Sequence, residues 1–132
     1  MASFYIASKF EERETARRLM DGLEALGHKI TFDWTTEHYQ TKEETKEDAQ
    51  ECLDGVFNAD VFVGLFVGDY IYKGALVEMG EALADEVPVY IVGHAIDTCV
   101  FTKLATGRFE TALEFLDFVK LNTGRVNDAE SQ

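Results

Sequence analysis

The sequence predicts an α/β protein, a three-layer α/β/α sandwich around a parallel sheet. Short apolar runs rich in valine, isoleucine and phenylalanine alternate along the chain with stretches of helical spacing. This alternation is typical of parallel strands joined by right-handed helical crossovers. The chain has 132 residues, of which 46% are hydrophobic, and these values fit one domain with a sizeable core. We expect the domain to cover residues 1–122 and a polar tail to cover 123–132.

Four apolar runs predict strands. The clearest is Val61–Val67, which is rich in valine and phenylalanine and too short to span a membrane, as expected of a strand buried on both faces. The other runs are shorter and have a similar β-type composition. In chain order the predicted strands are Ser3–Ala7, Lys29–Phe32, Val61–Val67 and Pro88–Val92.

Helical spacing of apolar residues predicts the helices between and after these strands. In the first helix, Glu11 and Glu12 favour the start through the helix dipole, and Gly27 favours the end. The predicted helices are 11–27, Thr41–Ala59, a third from Gly74 onward, and Thr111–Leu121.

The same spacing predicts which side chains face the core. On the second helix these are Ala49, Cys52, Leu53, Val56 and Phe57. On the third they are Leu76, Val77, Met79 and Gly80. In the last helix Phe115 and Phe118 belong to the core stripe, with a contact between subunits as the second choice. Residues 33–40 and 93–105 show no clear period and are predicted loops.

The charge balance bears on the choice of partner. With 25 acidic and 12 basic residues the chain has a net charge of −13, which repels a polyanion. We therefore expect no nucleic-acid partner, whereas a small-molecule ligand is allowed. No apolar run has the length of a membrane helix, and the amino terminus lacks a signal-type pattern. We expect no membrane partner and a cytoplasmic protein.

Cysteine and histidine positions argue against disulfides and metals. Cys52 and Cys99 do not make a disulfide framework, and reduced thiols suit the cytoplasm. His28, His38 and His94 share no spacing typical of metal ligands, so we expect no metal. No other cofactor is implied. Cys52 is most simply explained as a small buried residue.

The candidate site lies where the third predicted strand ends. In a five-stranded sheet of flavodoxin-like order, the first and third strands are neighbours, and a crevice opens at their carboxyl ends. Two loops face each other across that crevice, with Glu78 behind the second, in the opening turns of a helix. The first loop carries Tyr5, Ser8 and Lys9, and the second carries Asp69, Tyr72, Lys73 and Gly74.

In the order of its segments the chain resembles the nucleoside 2-deoxyribosyltransferase family, which includes relatives that hydrolyse nucleoside monophosphates. The segments are YIAS before a polar helix, GHKIT, DWT, DGVFNADVFV, KGALVEMGEALADEVPVYIVG, and RFET before the last helix. Single pieces are common among α/β proteins, whereas their order and spacing together are fairly specific. The resemblance covers nearly the whole chain. It implies an enzyme that transfers or hydrolyses N-glycosidic bonds of (deoxy)nucleosides or their 5'-monophosphates.

The resemblance also implies roles for individual residues. The family's nucleophile lies in a pattern like GTxxExG, which here is GALVEMG and assigns the nucleophile to Glu78. Tyr5 corresponds to the tyrosine that hydrogen-bonds the nucleophile and lines the sugar site. Ser8 and Lys9 lie in the loop that holds the 5'-phosphate in the monophosphate hydrolases. Family members are oligomers whose neighbouring subunits complete the pocket, so we expect a homo-oligomer, a dimer or larger.

Two positions depart from the family pattern. Tyr72 and Cys52 stand where the transferases have aspartates that contact the nucleobase and help to protonate it. Asp69 lies in the same turn as Tyr72, and Asp48 lies one helical turn before Cys52, so either is a candidate to reach the base. The departures leave two other hypotheses open, a non-catalytic binder of nucleosides or nucleotides and an interaction module without a small-molecule ligand.

Several candidates also have a purely structural explanation. Glu78 could only favour a helix start through the dipole, and Tyr5 could be a packing residue in a strand. Ser8 could cap the first helix, while Lys9 and Lys73 could be solvated.

Trp34, with Asp33, His38 and Tyr39, could stack on a base or could be a lid or interface residue. The residues expected to bind substrate around the catalytic pair Tyr5 and Glu78 are Ser8, Lys9, Trp34, Cys52, Asp69, Tyr72 and Gly74.

Overall fold

A parallel sheet of five strands forms the middle layer of the protein. The computed structural model describes residues 1–36, 44–94 and 99–122. The strands are β1 (Ser3–Ala7), β2 (Lys29–Ile30), β3 (Val61–Leu65), β4 (Val89–Val92) and β5 (Gly107–Phe109). Across the sheet they lie in the order β2-β1-β3-β4-β5, which confirms the predicted flavodoxin-like order and makes β1 and β3 neighbours.

Helices form the two outer layers. They are α1 (Arg13–Ala25), α2 (Lys46–Phe57), α3 (Lys73–Ala84) and α4 (Ala112–Leu121). Two short 3-10 helices, Phe10–Glu12 and Val100–Leu104, lie in the connections. Helix α1 packs against α4, and α2 packs against α3. The predicted α/β/α sandwich is therefore confirmed.

The core lies on both sides of the two central strands. In register, Phe4 of β1 pairs with Val61 of β3, and every residue of β3 is buried. At the other end of the sheet, aromatic rings fill the space between β4, β5 and α4. Phe115 is fully buried and Phe118 packs against the core, as the last helix predicts.

Helix α1 ends just before Gly27, the glycine that the sequence predicts to favour its end. Gly27 has a φ of +92°, in the left-handed region that favours glycine. Its N–H donates to the Glu24 carbonyl at 2.9 Å, and the N–H of His28 donates to the Leu23 carbonyl at 3.1 Å. This pair of bonds satisfies carbonyls that the last turn of the helix leaves free.

Several strand bounds differ from the prediction. β2 ends at Ile30 rather than Phe32, and β3 ends at Leu65 rather than Val67, where the chain enters the loop before α3. β4 begins at Val89, since the preceding proline has no N–H for the ladder. β5 has three residues, too few for a detectable alternation, so the sequence pattern gives no position for the fifth strand. The predicted loop 93–105 contains the second 3-10 helix.

Helix α2 begins at Lys46, which corrects the predicted start at Thr41; residues 41–43 lie outside the described part of the chain. Thr45 fixes this start with a capping box. Its side chain accepts from the N–H of Asp48 at 3.2 Å, and the Asp48 carboxylate accepts from the N–H of Thr45 at 2.9 Å. This reciprocal pair satisfies two N–H groups that a helix start leaves free.

The buried faces of α2 and α3 also correct the prediction. On α2, Ala49 and Phe57 are exposed, whereas Asp48 is buried through its capping role. On α3, Val77 is 67% exposed and Gly80 is exposed as well. Helix α3 is apolar or small at nearly every position, so its sequence does not define one core-facing side.

Within the described residues, no helix combines the length and apolar character needed to cross a bilayer. The predicted polar tail, 123–132, lies outside the described residues and stays a prediction.

Candidate active site

A cavity of about 610 Å³ opens at the carboxyl ends of β1 and β3. This is the place where the topology predicts a ligand crevice. All nine residues that the sequence analysis assigns to catalysis or substrate binding line it, while their predicted roles stay predictions. They are Tyr5, Ser8, Lys9, Trp34, Cys52, Asp69, Tyr72, Gly74 and Glu78. Lys73 also lines the cavity.

Tyr5 and Glu78 contact each other on the wall of this cavity. The Tyr5 hydroxyl donates to Glu78 Oε2 at 2.6 Å, a short bond typical of a phenol and a carboxylate. Tyr5 is only 1% exposed, and its ring stacks on that of Phe62 with centroids 6.0 Å apart. Its other side faces Gly55 of α2, where an added Cβ would lie 3.0 Å from the ring. Strand β1 and helix α2 therefore hold the phenol in one position against α3.

The environment of Glu78 disfavours its charge. Burial is the largest effect and raises the pKa of the carboxyl to about 7 from its ordinary value of 4.5. Hydrogen bonds from Tyr5 and from the Cys52 thiol oppose the rise, and the nearby charges of Glu81 and Glu44 add to it. At neutral pH the carboxyl is thus close to half ionised. Perturbed carboxyls of this kind are typical of functional sites.

Cys52 is half-buried beside this pair. Burial and the neighbouring Glu78 raise the pKa of the thiol to about 12, so it stays protonated at neutral pH. A protonated thiol donates a hydrogen bond and is a poor nucleophile. The prediction of a simply buried cysteine is therefore incomplete, because Cys52 also lines the cavity and supports the carboxylate of Glu78.

The hydroxyl of Tyr72 is hydrogen-bonded within the protein and is not available to a ligand. The hydroxyl accepts from the N–H of Gly68 at 2.9 Å and hydrogen-bonds the carboxylate of Glu12. The side chain is fully buried, and this burial, with the bond to Glu12, raises its pKa. Tyr72 therefore anchors the loop between β3 and α3. It lines the cavity, but its polar atom already has protein partners.

Ser8 does not cap the first helix. Its hydroxyl donates to the Leu65 carbonyl at 2.7 Å and so joins the ends of β1 and β3. The residue at the N-cap position of α1 is Glu12, whose side chain makes no capping hydrogen bond. Lys9, in the same loop as Ser8, lies with Nζ 5.7 Å from the ring centroid of Tyr70, within the range of a cation–π contact.

The aromatic candidate after β2 is well fixed. The indole N–H of Trp34 donates to the Ile6 carbonyl at 2.6 Å, and the side chain is 8% exposed. Asp33 does not line the cavity among the described residues and instead pairs with Arg17. The predicted companions of Trp34, residues 38 and 39, lie outside the described part of the chain.

Asp48 is a capping residue of α2 and is absent from the described cavity wall, which corrects its candidacy for the base. Asp69 is exposed and does line the cavity. Sequence reasoning missed six further lining residues: Phe10, Glu11, Glu44, Tyr70, Ile71 and Ala75. Five of these six lie beside predicted site residues in the two loops or at the start of α3, so their place on the cavity wall follows from that of their neighbours. No signal marks Glu44, because it lies in a run of charges that is typical of a solvated helix start.

The described residues contain no group of three or more histidine, cysteine, aspartate or glutamate side chains arranged to hold a metal ion. No protein-family model matches the sequence, and no curated protein matches it.

Solved structures do match. A 2-deoxyribosyltransferase from Bacillus psychrosaccharolyticus is 21% identical, with a TM-score of 0.69 over 88% of this chain and 91% of that one. A CMP N-glycosidase from Clostridium botulinum is 16% identical, with a TM-score of 0.64 over 90% of this chain and 98% of that one. A conserved protein from Enterococcus faecalis is 16% identical, with a TM-score of 0.65 over 92% of this chain and 98% of that one. At these identities the likeness is one of fold, and it is the fold that the sequence resemblance implies.

Proposed function

We propose that this chain is an enzyme that breaks the N-glycosidic bond of (deoxy)nucleosides or their 5'-monophosphates, by hydrolysis or by transfer to another base. Glu78 is the proposed nucleophile, and Tyr5 positions it. The observation that carries the proposal is the 2.6 Å hydrogen bond from the Tyr5 hydroxyl to the largely buried Glu78, inside a cavity of about 610 Å³. The shared fold of a 2-deoxyribosyltransferase and a CMP N-glycosidase supports this class of enzyme.

In the proposed mechanism an oxygen of the Glu78 carboxylate forms a bond to C1' of the sugar. The bond from C1' to the base nitrogen breaks, and its electron pair leaves with the base, which takes up a proton from water. The sugar passes through an oxocarbenium-like state, whose positive charge a buried, preorganised carboxylate stabilises better than a solvated one. Water or the ring nitrogen of a second base then attacks C1' and loses a proton to solvent, and the bond from C1' to the Glu78 oxygen breaks, which restores the carboxylate.

Tyr5 and Cys52 keep the nucleophile in place. The Tyr5 hydroxyl donates a hydrogen bond to Glu78 at 2.6 Å, and the neighbouring Cys52 thiol also favours the ionised form of Glu78, against the effect of burial. They also restrict the carboxylate to one position, which is the preorganisation that nucleophilic attack requires.

A 5'-phosphate fits best beside the loops that follow β1 and β3. Among the described lining residues, Lys9 and Lys73 are the only basic side chains, in a chain whose net charge is −13. Both lysines lie in the loops that also carry the acidic lining residues Glu11 and Asp69, and their ammonium groups can pair with a dianionic group there. We therefore expect 5'-monophosphates to be better substrates than the matching nucleosides.

A second candidate function is a non-catalytic binder of the same ligands. Tyr72 favours it, because its hydroxyl is engaged by Gly68 and Glu12 and cannot replace a base-contacting aspartate. Cys52, at the other departure, faces Glu78. On this alternative the cavity binds a nucleotide but the base does not leave.

Incubation of the purified protein with a deoxynucleoside or its 5'-monophosphate, with and without an acceptor base, separates these functions. We expect base release measurable by chromatography, and its loss in Glu78→Ala. Asp85→Asn is a matched control, because Asp85 is exposed at the end of the same helix and away from the described cavity wall. Ligand binding without base release supports the second function. Base release that persists in Glu78→Ala contradicts the proposed nucleophile.

We also propose that the chain assembles as a homo-oligomer. Ile71, beside the cavity, is 72% exposed, and Val77 on the outer side of α3 is 67% exposed, which suits a contact with a second copy. Analytical ultracentrifugation tests this, and a monomer at assay concentrations contradicts it.

A further inference from the structure

We infer that Glu44 contacts the nucleobase and selects bases with an exocyclic amino group, cytosine or adenine, over the matching keto bases. The inference rests on the proposed function and names the substrate class of the same cavity. Glu44 is exposed, lies immediately before the capping residue of α2, and lines the cavity. The family pattern that the sequence resembles assigns no role to Glu44.

The cavity has two different sides. On one side the loops after β1 and β3 touch each other, through the contact of Lys9 with the ring of Tyr70 and the hydrogen bond of Tyr72 to Glu12. The other side is built from the segment after β2 and from α2, and it carries Trp34, Glu44 and Cys52. Tyr5 connects the two sides, because its ring packs on Gly55 of α2 and its hydroxyl donates to Glu78 of α3, the helix that follows the loop after β3.

The lining charges favour one direction for a bound nucleotide. The basic lining residues Lys9 and Lys73 belong to the loop side, together with the acidic residues Glu11 and Asp69. The α2 side carries Glu44 and no basic residue among the described lining residues, so a 5'-phosphate is favoured on the loop side. Glu44 would repel a phosphate on the α2 side. The 5'-carbon and the base leave the sugar ring at different carbons and point apart, so a sugar held with C1' at Glu78 directs its base toward Trp34 and Glu44.

On the α2 side of the cavity, Glu44 is the acidic lining residue that is left to contact a base. Asp69 belongs to the loop side, and Asp48 is engaged as a helix cap. Cys52 lies against Glu78. Glu44 lies close enough to this centre that its charge raises the pKa of both Glu78 and Cys52. It therefore borders the space that a base would occupy beyond C1'.

A carboxylate in this position can distinguish bases by their edge chemistry. An ionised carboxylate only accepts hydrogen bonds, and it pairs with the amino group of cytosine or adenine. The keto oxygen of uracil or hypoxanthine at the equivalent position is also an acceptor, so the pair is repulsive and leaves both groups unpaired. A site built to bond an amino group rejects the analogue that lacks it more strongly than an apolar site does.

The test compares cytidine and uridine 5'-monophosphates, and their deoxy forms, as substrates of the wild-type protein and of Glu44→Gln. We expect kcat/KM for the cytosine substrates to exceed that for the uracil substrates by about tenfold or more. Glutamine offers both a donor and an acceptor, so in Glu44→Gln the ratio falls toward one, and hydrolysis of the uracil substrates is not slowed. Glu47→Gln makes the same change of charge at an exposed site, one turn along and away from the described cavity wall, and keeps the wild-type ratio.

Binding gives a readout that does not need turnover. Trp34 is the only tryptophan in the chain and lines the cavity, so its fluorescence reports the affinity for each nucleotide directly. Without base release, tighter binding of CMP than of UMP that Glu44→Gln abolishes still supports the inference. Equal binding of the two nucleotides, or an equal loss of both in Glu44→Gln, overturns it. No response to any nucleotide, with no base release, refutes the proposed function and the inference together.

Discussion

Replacing the proposed nucleophile should make the protein more stable above neutral pH. Glu78 has its pKa raised from 4.5 to about 7 in the folded protein, chiefly by burial. Between these two pH values the folded protein therefore keeps a proton on Glu78 that the unfolded chain has released. Glu78→Gln keeps the shape of the side chain and an acceptor for the Tyr5 hydroxyl, and it removes the charge that burial disfavours.

The magnitude follows from the pKa difference. Below pH 4.5 the carboxyl is protonated in both states, so wild type and Glu78→Gln should differ little in their free energy of unfolding. Between 4.5 and about 7 only the folded state holds the proton, and wild-type stability falls as the pH rises. Above about 7 the loss is complete and amounts to about 3 kcal/mol, at about 1.4 kcal/mol for each pKa unit.

Urea unfolding of both proteins, at pH values from below 4.5 to well above 7, measures this difference directly. We expect the advantage of Glu78→Gln to grow across that window and then level off. Glu24→Gln removes an exposed carboxylate of α1 and should show no comparable growth. A difference between wild type and Glu78→Gln that does not change with pH would refute the reasoning, because it would mean that burial does not perturb this carboxyl.

Other perturbations test the same site and its supports. If Glu78 must be ionised to attack, kcat/KM should fall about tenfold for each pH unit below about 7, and a pH-rate profile that is flat there contradicts this. Tyr5→Phe removes the 2.6 Å bond that favours the carboxylate, so the midpoint of that profile should move to higher pH and kcat should drop; an unmoved midpoint argues against the bond. Gly55→Ala would put a Cβ 2.9 Å from the Phe32 Cβ and 3.0 Å from the Tyr5 ring, and we expect a loss of about 1–3 kcal/mol in urea unfolding. Thr45→Ala removes the cap of α2 and should lower the free energy of unfolding by about 1 kcal/mol, whereas an unchanged urea midpoint would mean that the cap is not needed.

Most of the fold could be predicted from the sequence because the buried runs are distinctive. Val61–Leu65 is apolar at every position, and its alternation with helical segments leaves few topologies open. The short strand Gly107–Phe109 was not predictable in place, since three residues carry no usable period. The outward side of α3 was missed at Val77, because a helix that is small and apolar all round does not define its core face.

The candidate site was partly predictable for a topological reason. The ends of β1 and β3 must meet, so Tyr5, the loops and Glu78 had to come together once the strand order was known. The direction of individual polar atoms was not predictable. Tyr72 turned to Glu12, and Ser8 turned to a backbone carbonyl, because the nearest unsatisfied partners were supplied by segments distant in sequence. Glu44 was missed because a run of charged residues gives no sign of which member borders a cavity.

The bond between Tyr72 and Glu12 has a consequence for the whole mouth of the cavity. Glu12 is the N-cap residue of α1, and Tyr72 is the N-cap residue of α3. These two helices lie on opposite faces of the sheet. The hydrogen bond from Tyr72 to Glu12 therefore connects the two outer helical layers across the end of the sheet. Disruption of the opening turn of α1 would therefore disturb the loop before α3 that lines the cavity, although Glu12 itself does not border the described cavity.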